Sequence, residues 1–122
     1  RGKEFRGADM GAVKEANPAA LKVAKEFADK VHKLVPHAIV KLFGSAARGE
    51  IEELSDIDIY VELPDAVASD SVKKQISDIA WEVGFAHDHV IQSVVYQKSE
   101  IWDSPLRSSP FIKAVTNEGI PL

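Results

Sequence analysis

From Asp56 to Leu63 the chain reads Asp-Ile-Asp-Ile-Tyr-Val-Glu-Leu, with Ile57, Ile59, Val61 and Leu63 on one parity and Asp56, Asp58, Tyr60 and Glu62 on the other. That alternation is the period of a strand with one apolar and one polar face. The apolar face must be covered by other elements. The polar face carries both Asp carboxylates, about 6–7 Å apart along the strand. Two like charges that close repel unless a cation sits between them. Mg²⁺ takes one or two carboxylates together with waters and substrate phosphate oxygens. Taken alone, Asp-x-Asp is equally the solvated face of an edge strand.

The preceding apolar run narrows the choice. Ala38 to Phe43 (Ala-Ile-Val-Lys-Leu-Phe) reads as a short buried strand ending at Gly44-Ser45. Glycine permits positive φ and close backbone approach to a ligand. Ser45 can donate from its hydroxyl and its N–H. The following Ala-Ala-Arg-Gly-Glu reads as the first turn of a short helix, where free N–H groups attract phosphate. Gly-Ser is also a common plain turn, so the weight rests on the joint pattern of two strands, with acids opening the second. Arg48, one turn after Ser45, is assigned to the nucleotide site as a triphosphate contact, because a guanidinium matches phosphate geometry; the competing reading is a solvated helix residue.

Gly44-Ser45, ten residues, then Asp56-x-Asp58 resembles the pattern of the DNA polymerase β-like nucleotidyltransferases. The flanks Phe-Gly-Ser-Ala-Ala-Arg-Gly-Glu and Ser-Asp-Ile-Asp-Ile-Tyr-Val-Glu resemble the minimal nucleotidyltransferases (MNT) within that superfamily. The resemblance implies that Gly44 and Ser45 hold the nucleotide phosphates and that Asp56 and Asp58 are the catalytic, metal-binding pair. It implies Mg²⁺, or Mn²⁺, as cofactor and an NTP, ATP foremost, as substrate. It implies transfer of a nucleoside monophosphate, AMP foremost, to an acceptor hydroxyl. It also implies a third carboxylate on the next strand, expected over Asp88 to Gln97. By spacing the acid belongs near Gln92 or Ser93, and neither is acidic. Asp88 is the one acid in that run, so it is the remaining candidate third metal ligand; a missing or displaced acid is favoured over it.

Larger members of the superfamily carry a second domain for the acceptor, and 122 residues make one core, not two. The acceptor is therefore expected on a partner chain or on a second copy forming a homodimer. The resemblance implies a helical HEPN-type protein partner, as in HEPN/MNT toxin–antitoxin pairs. The alternative is a catalytically degenerate, antitoxin-like module that binds nucleotide or partner without turnover, motivated by the absent acid.

A net charge of −4, from 15 basic and 19 acidic residues, argues against strong nucleic-acid binding. Without cysteine there is neither a disulfide nor a thiolate metal site. No run is long and apolar enough to span a membrane and no signal peptide is seen, so a cytoplasmic location is expected. Residues 1–16 are set aside as a flexible N-terminal segment or an expression remnant, and 17–122 as the nucleotidyltransferase domain.

Asn17-Pro18 starts a helix whose Ala20, Ala24, Phe27, Val31 and Leu34 recur at helical spacing, and Pro36 stops it. Ser69 or Asp70 caps another, with Val72, Ile76, Ile79 and Val83 as its stripe and Gly84 as its C-cap. Ser109-Pro110 opens a last short helix, closed by Gly119, and Trp102 to Ser108 reads as a loop. The order is helix–strand–helix–strand–helix–strand–helix. It fits a small α/β (α+β) domain; the resemblance makes the sheet mixed, three- to four-stranded, with about four helices. Ser55 reads as a local cap, and Glu50, Glu52 and Glu53 as a solvated loop. His87, Asp88 and His89 read as surface residues rather than a transition-metal site. Lys41 is expected to point to solvent, and Trp81 and Trp102 to be packing residues.

Overall fold

The computed structural model describes residues 17–49 and 56–122. Asn17 opens α1 (Pro18–Leu34): its Oδ1 accepts the Ala20 N–H at 3.0 Å, and Pro18 takes the first helical position, where no N–H is required. The helix stops before Val35-Pro36, where the spacing predicts. Next come β1 (Ile39–Phe43), the four-residue α2 (Gly44–Ala47), β2 (Ile57–Leu63) and a 3₁₀ turn at Asp65–Val67. The chain continues through α3 (Asp70–His87), β3 (Ile91–Gln97), the short α4 (Lys98–Trp102) and a second 3₁₀ turn at Pro105–Ser108. It closes with α5 (Pro110–Glu118) and β4 (Ile120–Pro121).

The sheet order is β3-β2-β1-β4. β1 runs antiparallel to β2 and to β4, while β2 and β3 are parallel. This is the expected mixed sheet, four-stranded, with the two-residue β4 at one edge. The apolar parity of β2 is buried with Phe27 and Val31 of α1 and Ile76 and Val83 of α3, so the two long helices cover that face. The opposite face carries Asp56 and Asp58 at one end and Tyr60 and Glu62 at the other. Over that second end α4 and α5 set Ile101, Ile112 and Val115 against Tyr60.

Three boundaries differ from the sequence reading. Helix α3 runs past Gly84 to His87, and Asp88 takes the left-handed cap position at φ 59. Gly84 has a different duty. The His89 N–H donates to the Gly84 carbonyl at 2.9 Å. A β-carbon on Gly84 would lie 2.6 Å from the His89 carbonyl oxygen. The glycine makes room for the chain to fold back over the helix end. The longer helix in turn delays β3, which begins at Ile91 rather than Asp88. Finally, the stretch read as a loop holds the end of α4 and a 3₁₀ turn. A capping box stabilises α4, with Glu100 Oε1 accepting the Gln97 N–H at 2.9 Å.

Residues 1–16, Glu50, Glu52, Glu53 and Ser55 lie outside the described residues. Among the described residues no helix is long and apolar enough to cross a membrane.

Gly84→Ala forces the α3–β3 junction apart and is expected to lower stability by about 1–3 kcal/mol, read as a lower urea midpoint with an unchanged slope.

Candidate active site

The site is assembled where β1 ends. Pairing of β1 with β2 sets Phe43 opposite Asp58, so the turn after Phe43 begins beside that carboxylate. Gly44 enters the turn at φ +74, and a β-carbon there would lie 2.5 Å from Asp58 Oδ2. Any other residue would face both a left-handed backbone cost of about 1–2 kcal/mol and a collision with the acid. Ser45 follows, half-buried in α2. Arg48 caps the end of α2 and reaches Glu118 of α5, Nη1 to Oε1 at 3.4 Å, on the surface. The turn thus sets Gly44 against Asp58, with Ser45 and Arg48 next along the chain.

Asp56 precedes β2 and is exposed, while Asp58 is half-buried. Burial pushes the Asp58 carboxyl above its ordinary value of 3.8; the Asp56 charge pushes the same way, and the Arg48 guanidinium opposes both. The register of β2 with β3 sets Gln92 directly opposite Asp58. Its Nε2 donates to Asp56 Oδ2 at 3.0 Å. The position where the sequence called for an acid therefore holds an amide bonded to the first Asp. Asp56, Asp58, Gln92 and Ser93 line a cavity of about 330 Å³ with Phe43 and Phe111 as its apolar wall. The two rings meet edge to face, 5.4 Å apart at 84°.

Asp88 is not part of this arrangement. It is the C-cap of α3, three residues before β3, and is absent from the cavity lining. Among the described residues no cluster of three or more His, Cys, Asp or Glu can hold a metal. Asp88, expected within β3, lies instead at the end of the longer helix. His87 instead bonds Glu26 of α1, Nε2 to Oε1 at 3.1 Å.

Two further readings change. Trp81 is 69% exposed rather than packed. Lys41 is half-buried and lines a small cavity with Tyr60, Glu62 and Trp102. Trp102 Nε1 donates to Glu62 Oε1 at 3.0 Å. The roles of Gln92 and Phe111 were missed. Nothing in the sequence pairs Gln92 with Asp56 before the strand register is known, and Phe111 reads as an ordinary helix residue.

The donor set fits a divalent cation of one kind. Two carboxylates whose mutual repulsion already raises one of them leave charge to be neutralised. Two alone are too few to enclose an ion. Such a pair suits a hard cation that completes its shell with water and phosphate oxygens.

A glycine-hinged turn held against a strand-borne carboxylate pair, on a mixed sheet backed by two helices, is the architecture of nucleotidyltransferases. The chain belongs to the nucleotidyltransferase domain family, whose model matches residues 24–119. It is thus an enzyme of nucleoside monophosphate transfer, and domains of this family generally use divalent metals. It is similar to a candidate protein adenylyltransferase of Methanocaldococcus jannaschii, 29% identical over 102 residues, covering 82% of this chain and 95% of the relative. Its fold is similar to that of a chain in a toxin–antitoxin crystal structure with AMP-PNP, at TM-score 0.52 and 23% identity, covering 80% of this chain and 70% of the other. A candidate nucleotidyltransferase from Sulfolobus solfataricus shares the fold at TM-score 0.50 and 20% identity, covering 93% of this chain and 90% of that one.

The raised Asp58 pKa carries a sign. Its contribution to stability is complete below the ordinary 3.8 and is lost as pH rises through the higher folded value. At neutral pH the ionised Asp58 therefore works against the fold. In metal-free buffer, Asp58→Asn is expected to melt a few degrees above the wild type at neutral pH. The gap should close in acid, as followed by thermal denaturation across pH.

Proposed function

We propose that the chain is a minimal nucleotidyltransferase that transfers AMP from ATP to a hydroxyl on a partner protein, with Mg²⁺ or Mn²⁺. The observation that carries this reading is the contact of the Gly44 turn with Asp58, which brings the turn's backbone against the carboxylate pair. In this scheme Asp56 and Asp58 hold the metal. Gly44 and Ser45 hold the β- and γ-phosphates, and Arg48 lends positive charge on the leaving-group side. The acceptor hydroxyl oxygen bonds to the α-phosphorus as its proton passes to water, the bond from that phosphorus to the bridging oxygen breaks, and pyrophosphate leaves with the electron pair. A divalent cation, when bound, offsets the charge that grows on the phosphates in such a displacement. Phe43 and Phe111 exclude water from one side of the cavity. AMP and a protein acceptor are supported by the name of the M. jannaschii relative. A HEPN-type partner draws on the resemblance noted in the sequence and on the fold shared with a toxin–antitoxin chain. A cytoplasmic location belongs to the same proposal.

Titrating ATP into the protein by calorimetry, with Mg²⁺ and then with EDTA, tests the site. Binding is expected with Mg²⁺, to be lost in EDTA and in Asp58→Asn. Absence of binding in every condition would sink the reading for this chain.

Gln92 favours a second reading, a nucleotide- or partner-binding module without turnover. With an amide opposite Asp58, no third carboxylate of the site takes the hydroxyl's proton. Gln92→Asp is expected to tighten Mn²⁺ binding to the nucleotide-free chain severalfold, read by electron paramagnetic resonance. A matching gain in AMP transfer in that variant, from an undetectable wild-type level, would favour the module.

A further inference from the structure

The two edges of the sheet are unequal. β4 is a two-residue strand containing Pro121, and short strands and proline are devices that discourage further pairing. β3 has neither. Its seven residues, Ile-Gln-Ser-Val-Val-Tyr-Gln, include no charge, no proline and no glycine. Among the described residues it pairs with β2 alone.

The register shows which backbone groups face outward. Ile57 pairs with Ile91, and its N–H donates to the Val90 carbonyl at 2.9 Å. In a parallel ladder this turns the backbone groups of Val90, Gln92, Val94 and Tyr96 toward β2. Those of Ile91, Ser93, Val95 and Gln97 turn to the open edge. The Gln97 N–H is taken by Glu100, which closes the far end and leaves Ile91, Ser93 and Val95 presented.

Beside this edge α3 projects two aromatic side chains. Trp81 and Phe85 are 69% and 75% exposed and stack on each other, 5.1 Å apart at 9°. With His89 and Ile91 they border a cleft of about 410 Å³ between helix and strand. The buried His89 Nδ1 has no hydrogen-bond partner among the described residues. Two large apolar rings standing free over an unblocked strand edge mark an association surface.

We propose that a second copy of this chain docks here, β3 against β3 about a two-fold axis, making one continuous eight-stranded sheet from two four-stranded ones. A two-fold axis makes the paired edge strands antiparallel and requires a self-complementary surface. The surface meets that requirement. The strand is uncharged, so two chains of net charge −4 meet without like charges along it. Asp88 precedes the strand and Lys98 follows it, so antiparallel pairing sets the acidic end of one copy against the basic end of the other. The surface also offers both projecting rings and a cleft to receive the copy's rings. Ser93, which presents its backbone at the edge, also lines the Asp56–Asp58 cavity, so each site borders the junction. The proposal is independent of whether the chain turns over.

Sedimentation velocity and amide hydrogen exchange, each over a concentration series of the full chain, test it. The expected result is a dimer, with protection of the Ile91, Ser93 and Val95 N–H groups rising with concentration. Ser93→Pro removes an outward N–H and spares the β2 ladder; Trp81→Ser removes one ring from an exposed position. Each is expected to weaken dimerisation at least tenfold with unchanged circular dichroism. Should Ser93→Pro misfold, Trp81→Ser and the exchange pattern still decide. A monomer at all concentrations with unprotected edge amides would overturn the proposal, leaving the edge to a different chain. Protection in a monomer would do so too, the edge then being covered by the chain's own residues. A dimer unaffected by both substitutions would overturn it as well.

Discussion

Asp58 and the Gly44 backbone lie so close that one missing β-carbon separates a working arrangement from a collision. Everything about the site follows from that contact. It requires a glycine at positive φ directly after β1. It requires the antiparallel register that sets Phe43 against Asp58. It also requires β2 to be immobile. The last condition is met from the other face, where Ile57, Ile59, Val61 and Leu63 are buried with α1 and α3. The apolar parity of β2 therefore positions the site from a distance, because a shift of the strand in its bed would move the carboxylates relative to the Gly44 turn.

The polar face of β2 is divided. Tyr60 and Glu62 are buried, and Glu62 Oε1 accepts both the Tyr60 hydroxyl at 2.8 Å and the Trp102 indole N–H at 3.0 Å. Burial and the Glu62 acceptor push the Tyr60 phenol well above its ordinary value, so it stays a neutral donor. This network ties α4 to the C-terminal half of the strand. The Asp end is left to the cavity, walled by Phe43 and Phe111. One strand thus has a closed half that is satisfied internally and an open half whose charge calls for a ligand.

The order of elements was legible because each rests on a local signal with a mechanism. Asn17-Pro18 and Ser109-Pro110 cap helices through their own side chains, and Asp56 to Leu63 alternates with the strand period. The parts that escaped depend on contacts remote in sequence. Gly84 carries the signal of a helix end, yet its purpose is clearance for the His89 carbonyl, and Asp88 supplies the left-handed cap in its place. That overrun, which moves the cap from Gly84 to Asp88, takes Asp88 out of the strand. Trp81 looks like core by residue type, but its position on α3 leaves it outside the face that meets the sheet. The partnership of Gln92 with Asp56 exists only through the β2–β3 register, which no local pattern encodes.

Gln92 alters the electrostatics of the site in a direction that can be reasoned through. A third carboxylate opposite Asp58 would add negative charge beside Asp56 and Asp58, and would need a cation to offset it. An amide there adds none, and by donating to Asp56 it holds that carboxylate in place without a cation. Two carboxylates bind a hard divalent ion weakly by themselves, and much of its shell must come from water and phosphate. Under the proposed function, cation and triphosphate would gain most by arriving together, since each would lower the cost of the other's charge beside Asp56 and Asp58. Cation and triphosphate would thus complete the site together under that function, and Arg48, whose charge partly offsets the rise in the Asp58 pKa, would face the same phosphates.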